Sequence, residues 1–576
     1  MTTVSVASAV IADGVTSCSA ALESFFAAYN QDVTVVFPAG RYYLDRLVTI
    51  KGGRNLHIKG ENAVFVTHFT SCGDPADNNN AFHFIDCQDM VIEGLSFTTD
   101  NPVNMSGRVT AIDFENETYD VQINEAFPVT GREHLYGSSS FDEDGSPDYA
   151  LDTYDELVTE TVTEPDGEVW TKITGVEYVP LGGNKIRVSF PKPSAKSEVA
   201  VRADLSRLRV GHWVAFRYVI YGACIFTFFD CHRVVLRDIE IMRCSGFGML
   251  VRPRSSDFTL ERFNIRRPAG SLEPFCCNAD GVHVQGLSGY FKMIDCHFDG
   301  LGDDALNIHG LAAAITQVAA DGKSLVCAEK HGHGLPPRWT EAGDTLTVYD
   351  AKTMLKKATL TVASFDDEGN TLLSAQEGEF GVGDIVANDA YFPTLEVKNC
   401  TARNIRARAF LIQTRNVKVD GCHLYGMALP ALLIAPDFTF WYEAGPADHV
   451  EICNCTFEKS ALPNDRVNHG ALVINVTMST TPDYHPAGVH TDFYIHDNTF
   501  IDNGNCAMFA ASVKGLRLEN NRFVNNSVIR FDDVTPYTAY DVALKSCDEV
   551  AISNNTTDRP DNFLYLDRCG DAVTVN

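Results

Sequence analysis

Asp303 and Asp304 stand side by side in the stretch DGLGDDALNIHG, residues 299–310, and a third aspartate, Asp280, lies in ADGVHVQG, residues 279–286. The two stretches are offset by 24 residues. Setting one above the other pairs Asp280 with Asp304, Val282 with Leu306, His283 with Asn307, Val284 with Ile308 and Gln285 with His309. Alternate side chains of a strand point to opposite faces, so the aliphatics turn inward while His283, Gln285, Asn307 and His309 line the outer face. If 24 residues make one coil of a stacked structure, neighbouring coils lie about 4.8 Å apart and the three carboxylates converge. Like charges held close force at least one pKa upward. A protonated acid beside an ionised base is what hydrolysis of a glycosidic bond requires. One such aspartate alone reads as a turn cap. Three in register, beside two histidines and an asparagine, read as catalytic. A hard cation such as calcium is the competing use of clustered carboxylates, and the histidines argue against it.

The elements that would position these residues form a repeat. Short apolar strands ending in a polar Asn, Asp or Cys step recur, as in VVLRDI (from 234), FTLERF (258), FKMIDC (291), LEVKNC (395), VKVDGC (417), VEICNC (450), FYIHDN (493), LRLENN (516) and VAISNN (550). Successive starts differ by 22 to 24 residues where no insertion intervenes. This period, with almost no helix and Asn-rich turns, predicts an all-β right-handed parallel β-helix in which each coil buries its aliphatics by stacking on its neighbours. Asn, Cys and Ser at the corners are expected to form ladders along the axis.

An open solenoid end needs a cover. Residues 16–29, TSCSAALESFFAAY, have helical apolar spacing after Thr/Ser caps and predict an N-terminal capping helix, with 33–44 as the first coil. The repeat fades past about residue 565. Two segments interrupt it, 101–220 and 311–392, and each is expected to be a small antiparallel β-barrel inserted at a coil corner. The predicted organisation is therefore cap and first coils (1–100), first insertion (101–220), coils carrying the aspartates (221–310), second insertion (311–392) and C-terminal coils (393–576).

Composition excludes several classes. A formal charge of −30 disfavours nucleic acid and anionic membranes as partners. No run approaches the 18 apolar residues of a membrane span, and the start lacks a basic n-region, so a cytoplasmic location is expected. The 17 cysteines show no disulfide framework and read as free thiols. Cys276-Cys277 and the Cys453/Cys455 pair lack a second half at zinc-site spacing. No metal and no cofactor is expected.

The step ADGVH followed one coil later by DDALNIHG resembles the active-site signature of glycoside hydrolase family 110, as do RAFLIQTRNVKVDGC (408–422) and ALLIAPDFTFWYEAGPADHVEICNCTF (431–457). The resemblance covers most of the chain. It implies a metal-free, inverting, exo-acting α-galactosidase that removes terminal α-1,3-linked galactose, with Asp280, Asp303 and Asp304 as the catalytic aspartates. Pectin hydrolases of the polygalacturonase type share an Asp-Asp pair, but their Gly-His-Gly and Arg-x-Lys signatures are missing from the following coils, and HGHG at 331 falls inside an insertion. A β-helix glycosidase of other specificity, or a non-catalytic carbohydrate-binding solenoid, is the alternative.

Candidate sugar contacts are His283, Asn307 and His309 on the outer face, and Trp441 and Glu443 in FTFWYEAGP. An exposed Trp beside a carboxylate suits the apolar face and the hydroxyls of a pyranose. Arg408 and Arg415 flank the strand AFLIQT and complete the set. The expected partner is a carbohydrate with a terminal α-galactoside, and homo-oligomerisation is left open.

Overall fold

The computed structural model describes residues 1–68, 81–127, 177–189, 208–219, 222–328, 338–438, 441–461, 470–476, 485–528 and 536–575, apart from 269, 272 and 369, with four short strands inside 136–172. Three columns of parallel strands run the length of a solenoid. One column stacks segments such as Ser256–Arg266, Ser288–Ile294, Thr394–Lys398 and Val417–Asp420. A second stacks His297–Asp299, Thr401–Ile405 and His423–Met427. The third stacks Phe226–Phe229, Met249–Val251, Val282–Gln285, the first part of Leu306–Val318, and Phe410–Gln413. The inward Val, Ile, Leu, Phe and Met of all three columns form one continuous buried core.

The polar step at the end of each repeat has a backbone cause. Asp295, Asn399, Asn454, Asp497, Asn520 and Asn554 all adopt positive φ, between 53° and 56°. Asn and Asp tolerate this left-handed conformation better than other residues with a Cβ. The kink turns the next residue inward, and those residues form a second ladder: Cys296, Cys400 and Cys455, then Asn498, Asn521 and Asn555. Asn498 donates to Asn521 Oδ1 through both its main-chain N–H and its Nδ2, each at 3.0 Å, and Asn521 does the same to Asn555 at 2.9 and 3.0 Å. Beside them Phe457, Phe500 and Phe523 stack nearly parallel at 4.7 and 5.1 Å. The described cysteines are free thiols, all buried except the partly exposed Cys569.

The N-terminal helix spans Ser19–Ala28 and sets Leu22, Phe25 and Phe26 into the end of the core. The stack begins earlier than the sequence suggests. Thr2–Ser5 pairs in parallel with Val33–Val36, and Asp13–Ser17 with Gly40–Leu44. It also runs past residue 565, to Val573–Val575 on Asp548–Ser553. These terminal strands lie on one neighbour only and keep most side chains exposed, so they lack the apolar alternation of the interior coils.

The second insertion is a closed antiparallel barrel. Its ring runs from Leu306–Val318 through Ser324–Ala328, Thr371–Ser374, Lys356–Asp366, Thr345–Tyr349 and Ile385–Asn388 back to Leu306–Val318. One strand therefore serves both bodies: Leu306–His309 is a solenoid rung, and Ala312–Val318 is barrel wall. The first insertion contains a seven-stranded antiparallel sheet, whose pairings among the described residues do not close into a ring. No helix among the described residues is long and apolar enough to cross a membrane.

Replacing Asn521 by Leu strands the Asn498 N–H and the Ile495 carbonyl that it serves. The expected cost is roughly 1–3 kcal/mol for each group left unpaired, read as a lower denaturant midpoint. Asn521→Cys, which restores the ladder residue of earlier coils, should cost less.

Candidate active site

The expected register is present: Val282 pairs with Leu306, His283 with Asn307, Val284 with Ile308 and Gln285 with His309. The next rung continues it, with Leu306 on Phe410 and His309 on Gln413. Just before these strands, at the corner, the Gly281 N–H donates to the Asp304 carbonyl and the Ala305 N–H to the Arg408 carbonyl. Asp280, Asp304 and Arg408 are thus stacked on three successive coils.

That stacking produces a compact charge cluster. The main-chain N–H of Asp304 donates to Asp280 Oδ1 at 3.1 Å, and His283 Nδ1 lies 2.7 Å from Asp280 Oδ2. Arg408 Nη1 donates to both Asp304 oxygens, at 3.2 and 3.0 Å, and its main-chain N–H to Oδ1 at 3.0 Å. Asp280 is 4% and Asp304 2% exposed, whereas Asp303 is partly exposed. One oxygen from each of the three lies within 4.8 Å of the others. Burial, reinforced by Asp303 and Glu443, drives the Asp280 carboxyl well above the usual carboxylate range. Burial drives Asp304 up as well, opposed by the Arg408 guanidinium.

The outer face carries the remaining candidates. His283 Nε2 and His309 Nε2 face each other at 3.1 Å, and His309 Nε2 is 3.6 Å from Glu443 Oε1. Asn307 Nδ2 donates to the same Glu443 oxygen at 3.4 Å, and its buried Oδ1 has no partner among the described residues. Burial holds both histidines below their usual pKa. Glu443 reaches the site because Glu443–Ala444 pairs antiparallel with Gly310–Leu311, directly beyond His309. Gly445 then passes so close to the Gln413 carbonyl that a Cβ would sit 2.0 Å from its oxygen. Trp441, 40% exposed, stands two residues before Glu443. Arg415 is held by the second insertion. It donates to Asp389 at 3.2 Å and to the Tyr349 hydroxyl at 2.8 Å, with its guanidinium 4.0 Å over the Phe392 ring.

Among the described residues three groups bring enough donor atoms together to consider an ion: Glu451, Cys453 and His496 away from the site, and at the site the three aspartates and then His283, His309 and Glu443. Among the aspartates, Arg408 and His283 already meet the buried carboxylates. In the last group, the ring nitrogens are 3.1 Å apart, and a proton shared between them competes with a metal for the same two lone pairs.

Arg217 is a functional candidate that reasoning from the sequence missed. It comes from the first insertion, is 1% exposed, and donates from Nη1 to the carbonyls of Asn278 and Gly302 at 2.7 and 3.0 Å. These carbonyls lie just before Asp280 and Asp303. Gly302 leaves the room, since a Cβ there would meet Arg217 Nη1 at 2.7 Å. Asn278 Nδ2 in turn donates to the carbonyls of Val103 and Val219, both at 2.9 Å. The signal was an arginine in the apolar run WVAFRY, residues 213–218. HGHG at 331–334 lies outside the described residues.

A family model described as a right handed beta helix region matches residues 385–557. Over 567 residues the chain is 23% identical to Alpha-1,3-galactosidase B of Akkermansia muciniphila, covering 95% of this chain and 65% of that protein. Over 411 residues it is 25% identical to Alpha-1,3-galactosidase A of Bacteroides fragilis, covering 68% and 63%. In sequence, the chain is similar to alpha-1,3-galactosidases. It spans just under two thirds of the length of these two relatives. Among solved structures it is similar to the family 28 exopolygalacturonase of Yersinia enterocolitica, at a TM-score of 0.46 and 10% identity, covering 99% of this chain and 77% of that one.

The raised Asp280 pKa carries a stability consequence of definite sign. The folded state binds the Asp280 proton more tightly than the unfolded chain, so wild-type stability falls as pH rises above the ordinary value of 3.8. Asp280→Asn carries no such penalty. Its stability relative to wild type should therefore grow between about pH 4 and pH 7, measured as the difference in denaturation midpoint across that range.

Proposed function

We propose that this protein is an exo-acting, inverting α-galactosidase that removes terminal α-1,3-linked galactose from oligosaccharides or glycans. The observation that carries the reading is the in-register trio Asp280, Asp303 and Asp304, opening onto a polar face of His283, Asn307, His309 and Glu443. The relatives named alpha-1,3-galactosidases support the sugar and the linkage.

Hydrogen bonding and exposure support a division of roles. Both oxygens of Asp304 accept from Arg408, which favours its ionised form against the burial that drives its pKa up. Asp303 is the partly exposed member, able to regain a proton from solvent, and takes the role of general acid towards the glycosidic oxygen. Asp280 and Asp304 then share the attacking water, with Asp280 as the base. Trp441 offers a ring to the apolar face of galactose, while Glu443 and Asn307 meet its hydroxyls; both ring nitrogens of His309 are engaged within the protein, and it acts on the site through His283. Arg408 acts through Asp304, and Arg415 is a positioning residue for the barrel.

The closest carboxylate oxygens, within 4.8 Å, are nearer than the roughly 6.5–9.5 Å common for inversion. Inversion is therefore proposed from the resemblance to glycoside hydrolase family 110.

The test is a panel of aryl α- and β-glycosides and α-1,3-linked galactosyl oligosaccharides, with proton NMR of the first sugar released. Hydrolysis of α-galactosides with β-galactose appearing first is expected. Asp303→Asn should lower kcat roughly 10²- to 10⁴-fold without shifting the unfolding midpoint by more than a few degrees. An untouched panel removes the hydrolase reading, and α-galactose as first product removes inversion.

A further inference from the structure

The polar face contains a continuous line of hydrogen bonds whose direction is fixed at one end. His309 Nδ1 lies 2.8 Å from the Gly310 carbonyl, which can only accept, so His309 Nδ1 carries a proton. His309 Nε2 faces His283 Nε2 at 3.1 Å, and His283 Nδ1 faces Asp280 Oδ2 at 2.7 Å. Each contact needs one proton. Three arrangements satisfy both with the same number of protons: an Asp280 carboxylate beside a doubly protonated His283, which is the midpoint of the relay, and the two that end it. In one, Asp280 is protonated and donates to His283 Nδ1, and His283 Nε2–H donates to a neutral His309. In the other, Asp280 is a carboxylate accepting from His283 Nδ1–H, and His309 is an imidazolium donating from Nε2–H to His283, with Glu443 Oε1 3.6 Å away as counter-charge.

Moving between them requires only two short transfers. The Asp280 O–H bond breaks as an N–H forms at His283 Nδ1, and the His283 Nε2–H bond breaks as an N–H forms at His309 Nε2. His283 is neutral at both ends, no redox change occurs, and one positive charge moves to His309.

We infer that Asp280, His283 and His309 form a buried proton relay that lodges the Asp280 proton on His309 beside Glu443, leaving Asp280 ionised to take the proton of the attacking water. The inference deepens the proposed hydrolase reading and rests on it for the role of Asp280 as base. It answers a difficulty of that reading, since burial keeps a proton on a carboxyl that has to act as a base. Of the charged groups that face the relay, Asp303, Asp304 and Glu443 favour a cation on it, while Arg252 and Arg408 oppose one, as does the burial of both histidines. Arg252 is itself engaged by Gln285 at 2.6 Å.

Two measurements test the relay. In ¹⁵N-histidine NMR of the resting protein, His309 Nδ1 should stay protonated from pH 5 to 9, with a single proton shared between the two Nε2 atoms. Spectra with both Nε2 atoms unprotonated would overturn the relay, and this result can be read whether or not the protein hydrolyses any glycoside. The second measurement compares His309→Phe with His309→Gln by the pH profile of kcat/KM. Glutamine can still accept the His283 hydrogen bond through Oε1 but cannot be protonated. Without His309 as proton acceptor Asp280 keeps its proton to higher pH, so the ascending limb should move up by at least one pH unit in both variants. A wild-type ascending limb in His309→Gln would show that His309 only positions His283, and would sink the relay.

Discussion

Everything at the site depends on the hydrogen-bonded spacing of parallel coils. Main-chain pairing between Val282–Gln285, Leu306–His309 and Phe410–Gln413 holds three rungs at the separation that the peptide groups dictate, about 4.8 Å. Side chains at equivalent positions cannot avoid one another at that distance. Asp280, Asp304 and Arg408 are brought together by the same pairing that stacks valine on leucine and isoleucine behind them. The cost of burying two carboxylates is met partly by Arg408 and His283 and partly by protonation. The hydrophobic core sets the geometry, and the charge cluster accepts it.

How much of this was legible in the sequence follows from what interrupts the count. Residues 280 and 304 are one uninterrupted coil apart, so their stacking could be read by laying ADGVHVQG over DDALNIHG. Arg408 is the next member of the same stack, yet a barrel intervenes, and counting residues could not place it against Asp304. Its flanking position suggested a contact with sugar hydroxyls, whereas the structure gives it a carboxylate partner. Arg217 was beyond reach for a similar reason. It belongs to another body, and its partners are backbone carbonyls, which carry no residue-type signature. The polar steps at coil corners were visible as a pattern. Their physical cause, a left-handed residue that turns the next one inward, needs the backbone.

The two insertions serve the solenoid differently. The first reaches under the site: Arg217 and Asn104 bind main-chain groups of the loops that carry the aspartates, so that loop is braced from outside the coil to which it belongs. The second shapes the rim. Its Tyr349 stacks on Phe438 at 5.7 Å, and together with Met354 and Ile385 it packs on Tyr442 and Ala444, the residues flanking Glu443. Trp441 and Glu443 are thus presented by a loop anchored on the barrel as well as on the coil.

The strand Leu306–Val318 belongs to both bodies without a break. Asn307 and His309 sit on its first half, and barrel wall begins three residues after His309, at Ala312. A β-strand has no soft joint within it, and a slip of one residue would exchange its two faces. The barrel therefore cannot be lengthened, swapped or excised as a separate cassette from this end without redrawing the face that carries those two side chains. Exchange of such modules between solenoids is confined to units that take the strand with them. Variation in the barrel is left to the far end of its wall, where Val318 pairs with Leu325 and Ser324 with Leu373, away from the rung.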